Sequence, residues 1–350
     1  MSVNHHKFTA KRGDILLDAA LDNGIEIPHD CRSGRCGTCQ VRILDGLAIS
    51  GESAANGMVR ACQARVLTDL QVLVEPVPDA VTTRGLVTGL APLAPDVTEL
   101  RIHLAKPVTY LPGQYYRIQF RGFPSRCYSP TQSMSPLNDG ADCIRLHIRR
   151  VPDGRVSSAL GVSINRGHHL KLKGPYGAAY LRPRQPNRLI LISSSTGFAP
   201  IWSIMKAALG ENPNRPIILI LGGTKVEALY MRAAVHTLRQ FRNVRIIPVV
   251  AEPSGQAARA VLKGRPTDYV PALGPDDTVY ACGAPRMVEA ARAKASAAGA
   301  MFYADPFFPY DDDVNVGLLS RVLDRLSEML WPANLLGTPN TMLRLERMKQ

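Results

Sequence analysis

Four cysteines near the N-terminus are spaced so that they could bind one metal centre together. Cys31, Cys36 and Cys39 lie in one short loop, and Cys62 follows after 22 intervening residues. Thiolates are soft ligands that suit iron–sulfur clusters and zinc better than hard cations. Seven cysteines are an odd number for a disulfide framework, whereas clustered thiols in a reducing compartment are typical of metal chemistry. The spacing fits a [2Fe–2S] cluster whose fourth ligand comes from a later segment.

The residues between these cysteines favour an iron–sulfur cluster over zinc. Gly34 and Gly37 let the backbone turn tightly, so that its N–H groups can face the sulfides. A structural zinc site, which is the alternative, usually combines two Cys-x2-Cys pairs, and this segment has a single pair. The run from Asp30 to Cys39, DCRSGRCGTC, resembles the plant-type ferredoxin family closely. The resemblance implies that Cys31, Cys36, Cys39 and Cys62 are the metal ligands of a [2Fe–2S] cluster.

A second candidate site is the sequence Arg126-Cys127-Tyr128-Ser129. Residues two apart on a strand lie on one face, so Arg126 and Tyr128 would lie side by side. A guanidinium can hold a phosphate, and a phenol ring can lie along a flat heterocycle. The pattern predicts a site for a phosphate-bearing aromatic cofactor; the alternative is an ordinary half-buried strand.

The order of later motifs favours the cofactor site. Gly154-Arg155-Val156-Ser157, then Gly174-Pro175-Tyr176-Gly177, then an α/β pattern follow in the chain. This succession resembles the ferredoxin–NAD(P)H reductase superfamily, whose barrel binds flavin. The resemblance implies FAD rather than FMN, because FMN-using relatives usually carry their ferredoxin at the C-terminus.

Carried over to this chain, the resemblance assigns individual flavin-binding residues. It makes Arg126 a pyrophosphate ligand, Tyr128 a stacking partner of the isoalloxazine, and Ser129 a catalytic hydrogen-bond partner near the reactive nitrogen. Further residues are implied along the flavin, namely His147, Ile148 and Arg149, and at the pyrophosphate, namely Gly154, Val156 and Ser157.

The sequence from Ser193 to Pro200 places small residues between an apolar strand and a helix. Gly197 would permit close approach of a dinucleotide, and the helix N-terminus would offer N–H donors to its phosphates. The alternative is a generic strand-to-helix turn. By resemblance to the superfamily, Thr196 and Gly197 bind a nicotinamide cofactor, although two glycines usually stand where this chain has Ser194 and Ser195.

Two C-terminal motifs extend the resemblance. Cys282-Gly283-Ala284-Pro285-Arg286-Met287 is similar to the Cys-Gly-x-Pro-x-Met segment of the superfamily. It implies that Cys282 is a catalytic residue beside the nicotinamide ring, with Gly283 and Pro285 in the binding site; a buried structural cysteine is the alternative. The run from Phe302 to Phe307 resembles the terminal acidic-x-aromatic motif, which gives Phe307 a catalytic place near the flavin.

The sequence favours NADH over NADPH as the nicotinamide donor. An NADPH enzyme needs cationic side chains for its extra phosphate, commonly just after the second strand. Gly222-Gly223-Thr224-Lys225 supplies one lysine there. We therefore expect NADH, with NADPH as the less favoured cofactor.

The hydrophobic patterning indicates several modules that position these motifs. The first module combines a helix over 13–23 with a strand at Val41 to Ile43, and its resemblance to the ferredoxins implies a β-grasp-like α+β fold. Short alternating segments between 86 and 173 predict an antiparallel barrel. Apolar runs alternating with helices near 199–209, 226–240 and 285–298 predict a doubly wound α/β sheet. We place the modules at 1–77, 80–183 and 187–310, with a C-terminal helical extension at 311–350.

The distribution of charge separates these modules and excludes several classes of protein. Residues 1–75 carry a net charge of −1, residues 76–310 carry +15, and residues 311–350 carry −1. The basic excess therefore lies where two cofactor pyrophosphates must bind. Nucleic-acid binding is not favoured, because no platform of stacking aromatics accompanies the basic residues. No apolar run reaches the roughly 18 residues of a membrane span and no signal peptide is recognisable, so a cytoplasmic protein is expected.

The three modules in this order resemble the reductase components of bacterial ring-hydroxylating dioxygenases and multicomponent monooxygenases. The resemblance covers about residues 1–310 and implies that NADH reduces FAD, FAD reduces the cluster, and the cluster reduces a ferredoxin or a terminal oxygenase. The alternatives are a reductase for deoxysugar dehydration and a non-catalytic redox-sensing module. The apolar helix face at Leu319 to Leu330 predicts intramolecular packing, self-association or partner docking through residues 314–336, or contact with a membrane surface.

Overall fold

A computed structural model describes residues 1–50, 57–131, 141–183, 185, 187–253 and 259–308. Their strands form one five-stranded sheet, two six-stranded sheets and one two-stranded ladder. The extension at 311–350, including the proposed association segment 314–336, lies outside these residues. Within the described ranges, no helix is long and apolar enough to cross a membrane.

The first module packs a short helix on a mixed sheet. Its sheet has the order β2-β1-β7-β3-β5, with β1 parallel to β7. Leu16, Leu17 and Ala20 of helix α1 are fully buried, so one face of this helix covers the sheet and forms the core. The elements are β1 (Ser2–Val3), β2 (His6–Lys7), α1 (Leu16–Asp22), β3 (Gln40–Asp45), β4 (Ala48–Ile49), β5 (Met58–Arg60), β6 (Arg65–Val66) and β7 (Gln71–Leu73).

The second module is an antiparallel barrel. Its strand order is β11-β10-β13-β8-β9-β12, and a bridge between Pro130 and Leu146 joins the two edge strands. Alternating residues such as Ile144, Leu146 and Ile148 point inward and are almost fully buried. The strands are β8 (Val81–Ala94), β9 (Val97–Val108), β10 (Tyr115–Phe120), β11 (Arg126–Tyr128), β12 (Ala141–Arg149) and β13 (His169–Tyr176).

The third module is a parallel sheet of order β17-β16-β15-β14-β18-β19 with helices on both faces. The chain order reverses on either side of β14, so a crevice opens at the carboxyl end of that strand, where α/β folds bind ligands. The elements are β14 (Leu189–Ser194), α2 (Phe198–Glu211), β15 (Ile217–Gly223), α3 (Arg232–Thr237), β16 (Val244–Val250), β17 (Leu262–Lys263), β18 (Thr278–Gly283), α4 (Pro285–Ala297) and β19 (Met301–Pro306).

Two elements of this module differ from the sequence-based expectation. The helix expected near 226–240 is interrupted: 3-10 turns at 226–228 and 238–240 flank the short α3. Met231, in the left-handed region with φ of 61°, breaks the helical path just before Arg232. The second difference is a further strand at the edge of the sheet: residues 301–306, which precede Phe307, form β19 and pair in parallel with β18.

Arg182 lies where the three modules meet. Its guanidinium is stacked between the rings of Tyr180 and Tyr303, at 3.7 Å and 3.6 Å from their centroids. It also forms an ion pair with Glu75 at 2.8 Å. Glu75 follows the ferredoxin-like sheet, Tyr180 follows the barrel and Tyr303 belongs to β19, so one buried cation contacts all three parts of the chain.

Candidate functional site

The four N-terminal cysteines face one another as two pairs. The Cys31 and Cys36 side chains are in hydrogen-bond contact, and the Cys36 N–H donates to Cys31 Sγ at 3.3 Å. Cys39 and Cys62 form the second pair and are buried in the module core. A two-iron cluster needs two thiolates for each iron, so this donor set fits a [2Fe–2S] centre.

The surroundings of Cys31, Cys36 and Cys39 shift the pKa values of these thiols in opposite directions. The hydrogen bond from Cys36 lowers the pKa of Cys31 to about 4, and the same contact raises the pKa of Cys36. Burial raises the pKa of Cys39 to about 12. Without a metal only one member of the first pair is readily ionised, whereas metal coordination deprotonates thiols outright.

The cysteine loop lies directly against the barrel. Thr38 Oγ1 donates to Cys36 Sγ at 3.2 Å and accepts a hydrogen bond from the Gly177 N–H at 3.0 Å. Asp30, next to Cys31, forms an ion pair with Arg117 at 2.6 Å and accepts a hydrogen bond from the Tyr115 hydroxyl at 2.6 Å. Asp30, which precedes Cys31, and Thr38, which is hydrogen-bonded to Cys36, therefore both contact the barrel.

The first group of expected flavin residues lies on and just after strand β11 of the barrel. Arg126 and Tyr128 share one face of β11, and β11 pairs with β10, which carries Tyr115 and Arg117. Ser129 is buried and follows this strand. A guanidinium, a phenol ring and a hydroxyl therefore lie next to the strand that contacts the cysteine loop, which is a donor set suited to FAD.

The other expected flavin residues differ in how far their side chains are exposed. His147 is buried against Tyr230 of the α/β module, with its Nδ1 at 3.3 Å from the hydroxyl, and burial lowers its pKa to about 4, so the ring is neutral. Arg149 is exposed at the end of β12. Ile148 and Val156 point into the barrel core, so their backbone is the part that can face a ligand.

The Gly154 turn is built from contacts within the barrel. Ser157 Oγ accepts a hydrogen bond from the Val151 N–H at 3.0 Å. A Cβ added at Gly154 would lie 2.5 Å from Ser157 Oγ, so a side chain there would displace the Ser157 hydroxyl from this hydrogen bond. Two N–H groups of the turn are also used within it, since Gly154 donates to the carbonyl oxygen of Val151 and Ser158 donates to that of Gly154, each at 3.0 Å. The expected pyrophosphate role of Gly154, Val156 and Ser157 stays a prediction.

The expected nicotinamide residues lie at the crevice of the α/β sheet. Thr196 and Gly197 form a 3-10 turn that leads from β14 into α2. A Cβ at Gly197 would lie 2.1 Å from the carbonyl oxygen of Cys282, and one at Gly283 would lie 2.6 Å from the carbonyl oxygen of Ser194. The two glycines therefore let the β14 turn pack closely on the end of β18, and Pro285 begins α4 directly after it.

Cys282 is completely buried at this junction, and burial raises its pKa well above the ordinary value for a thiol. Its place in the β18–β19 register is opposite Asp305. Phe307 is more than one third exposed at the end of β19, and its backbone N–H donates to Gly283 at 2.7 Å. The catalytic roles of Cys282, Ser129 and Phe307 stay predictions.

Asp305 is the acidic residue of the acidic-x-aromatic motif, to which the sequence analysis gave no role. Its carboxylate oxygen lies 3.5 Å from Ser129 Oγ, across the interface between barrel and α/β module. Burial raises the pKa of Asp305 to about 7, and the hydrogen bond from Ser129 opposes this shift. An acidic residue at the carboxyl end of a buried parallel strand was the signal that could have identified it.

The comparisons with known families agree with the three modules. The 2Fe-2S iron-sulfur cluster binding domain matches residues 3–67, the oxidoreductase FAD-binding domain matches 87–180, and the oxidoreductase NAD-binding domain matches 191–293. These matches confirm the expected cofactor classes. The proposed module boundaries stay predictions.

Relatives of known activity match along most of the chain. The reductase component of the naphthalene 1,2-dioxygenase system of Pseudomonas putida is 34% identical over 85% of this chain and 94% of its own length. A terephthalate 1,2-dioxygenase reductase component of Comamonas is 32% identical over 86% and 94%. The crystal structure of an Amycolatopsis cytochrome P450 reductase covers 88% of this chain and 98% of its own, with a TM-score of 0.65 and 28% identity.

Proposed function

The chain belongs to the family of iron–sulfur flavoprotein reductase components of oxygenase systems, and on that premise we propose that it passes electrons from NADH, through FAD and a [2Fe–2S] cluster, to a ferredoxin or a terminal oxygenase. The observation that carries the proposal is the contact of the cysteine loop with the barrel. Thr38 touches both Cys36 and Gly177, so the cluster ligands and the flavin-binding barrel are held as neighbours.

Each part of the chain has a stated task in this function. The crevice at β14 binds the dinucleotide, and Arg126, Tyr128 and Ser129 hold and orient FAD. When bound, FAD supplies the exchange between a two-electron hydride donor and a one-electron acceptor. The buried pair of Ser129 and Asp305 can hold a proton where the barrel meets the α/β module, because the pKa of Asp305 is about 7. We place the protein in the cytoplasm, because clustered metal-binding thiols are typical of a reducing compartment.

The test separates the two halves of this function. Cys36→Ser should remove the cluster, because a hydroxyl replaces one of four thiolate ligands, and should abolish NADH-dependent reduction of a one-electron protein acceptor. Bleaching of FAD by NADH should continue at the wild-type rate. The measurements are the cluster absorbance, stopped-flow bleaching of FAD and reduction of cytochrome c.

The control is His6→Gln, which changes an exposed residue of β2 in the cluster module, away from the cysteine loop, and should leave all three readings unchanged. Undiminished reduction of cytochrome c by the cluster-free Cys36→Ser protein would refute the proposed electron path. Failure of wild-type protein to bleach its FAD with NADH would refute the enzymatic function itself.

A further inference from the structure

Three metal-ligating side chains meet on the outside of the barrel, apart from the cluster loop. In the β9–β12 pair His103 lies directly opposite Cys143, and the register shifts between Ala141 and Cys143. Asp142 lies at this irregularity, where the alternation of side chains between two faces is broken. Asp142 and Cys143 are both exposed and His103 is half-buried, so all three reach the same surface.

The distances between their ligand atoms suit one small cation. His103 Nδ1 lies 3.5 Å from Cys143 Sγ, and all three ligand atoms lie within 4.8 Å of one another. A tetrahedral zinc ion, with bonds of about 2.3 Å to sulfur and about 2.0 Å to nitrogen, places those two ligands about 3.5 Å apart. The histidine–cysteine pair therefore already has the separation that a shared zinc ion requires, and the exposed aspartate needs a side-chain rotation to join it.

The chemistry of the ligands selects the class of metal. A thiolate with an imidazole favours zinc and its neighbours over calcium or magnesium, which prefer oxygen. Thiolate and carboxylate together neutralise a divalent ion. Arg101 and Arg145 form the next pair on the same face of the two strands, and Glu99 pairs with Arg101 at 2.8 Å.

We propose that His103, Asp142 and Cys143 form a binding site for a zinc-class divalent cation, with water in the fourth position. Such an ion would connect β9 to β12 by side chains in addition to their backbone ladder. β12 continues from Cys143 to His147, Ile148 and Arg149. The ion would therefore fix the strand that carries the expected flavin residues.

The test uses the full-length holoprotein without an affinity tag, carrying FAD and its cluster, after removal of loose metal with a chelator. Titration with zinc chloride, followed by calorimetry, should show one ion per chain. Cys143→Ser and His103→Ala should each weaken this binding at least about a hundredfold, more than the loss of an outer hydrogen-bond partner costs. Cys127→Ser, which removes another exposed barrel cysteine, should bind zinc like wild type.

Two measurements on wild type do not depend on any variant. The X-ray absorption spectrum of bound zinc should show one sulfur ligand at about 2.3 Å together with nitrogen and oxygen ligands. Zinc should also slow alkylation of Cys143, followed by mass spectrometry, at least about tenfold, while alkylation of Cys127 keeps its rate. Three results would each overturn the proposed site and indicate an adventitious ion only. They are undiminished zinc binding by Cys143→Ser, a zinc spectrum with oxygen and nitrogen ligands alone, and a Cys143 that zinc does not protect from alkylation.

Discussion

Asp305 is the residue whose surroundings most alter its ordinary chemistry. Its side chain is buried between β19 and the barrel, which raises its pKa from 3.8 to about 7. The folded state therefore keeps a proton that the unfolded chain releases above pH 4. Because the folded pKa is the higher one, this contribution to stability is complete below about pH 3.8 and is lost as the pH rises through about 7.

Asp305→Asn should remove this pH dependence, because an amide cannot ionise. Relative to wild type, the variant should gain about 1.4 kcal/mol of stability for each pH unit between 5 and 7. Thermal unfolding of both holoproteins from pH 5 to pH 8 measures the difference. The exposed Asp276→Asn serves as control and should show a constant difference, and the same constancy for Asp305→Asn would contradict the raised pKa.

At the scale of elements, the nicotinamide crevice depends on the close packing of two chain turns. Gly197 begins the passage from β14 into α2, and the carbonyl group of Cys282 occupies the space where a side chain would lie. The expected role of Gly197 was to let a cofactor approach the backbone. The structure adds a second reason, since the β18 end itself approaches this glycine.

Gly197→Ala should destabilise the protein by about 1–3 kcal/mol, because its methyl group would collide with backbone that cannot rotate away. Displacement of the turn should also raise the KM for NADH. Gly210→Ala, in helix α2 with open space around it, should instead stabilise the protein by about 0.5–1 kcal/mol. Denaturant unfolding and NADH titration measure both effects; equal stability of the two variants would show that the packing at Gly197 is loose.

At the scale of the whole molecule, the position of the cluster module depends on a few polar contacts with the barrel. The Asp30 side chain is 7% exposed and is paired with Arg117. It also accepts the hydrogen bond from Tyr115, whose pKa is raised by burial. Because Asp30 precedes Cys31, these contacts hold the cysteine loop against the barrel.

Asp30→Asn should slow reduction of the cluster by FAD at least about tenfold. Loss of a hydrogen bond to a charged group weakens the contact between cluster module and barrel by about that factor. Bleaching of FAD by NADH should keep its rate. Hydrogen exchange at the Gly177 amide, which donates to Thr38, should accelerate. The exposed Glu26→Gln is the matched control, and an Asp30→Asn protein with unchanged exchange and cluster reduction would show that this contact does not position the module.

The sequence by itself determined the chemistry of this protein, because that chemistry depends on residue types at fixed local spacing. The loop of three cysteines, the alternation of Arg126 and Tyr128, and the apolar runs of the α/β sheet are short-range patterns, and they indicated the cofactor classes and the order of modules. Strands β10 (Tyr115–Phe120) and β16 (Val244–Val250) lie within the segments whose patterning predicted the barrel and the α/β sheet.

Only the tertiary structure decided which residues from distant segments meet. Ser129 meets Asp305, Asp30 meets Arg117, and His103 meets Cys143. The partners lie 40 to 176 positions apart in the sequence, and the first two pairs join different modules. No local periodicity encodes such contacts, since they depend on the strand register and on how the modules pack. The raised pKa of Asp305 has the same origin, because burial of a carboxylate arises only when the barrel and the α/β sheet close over it.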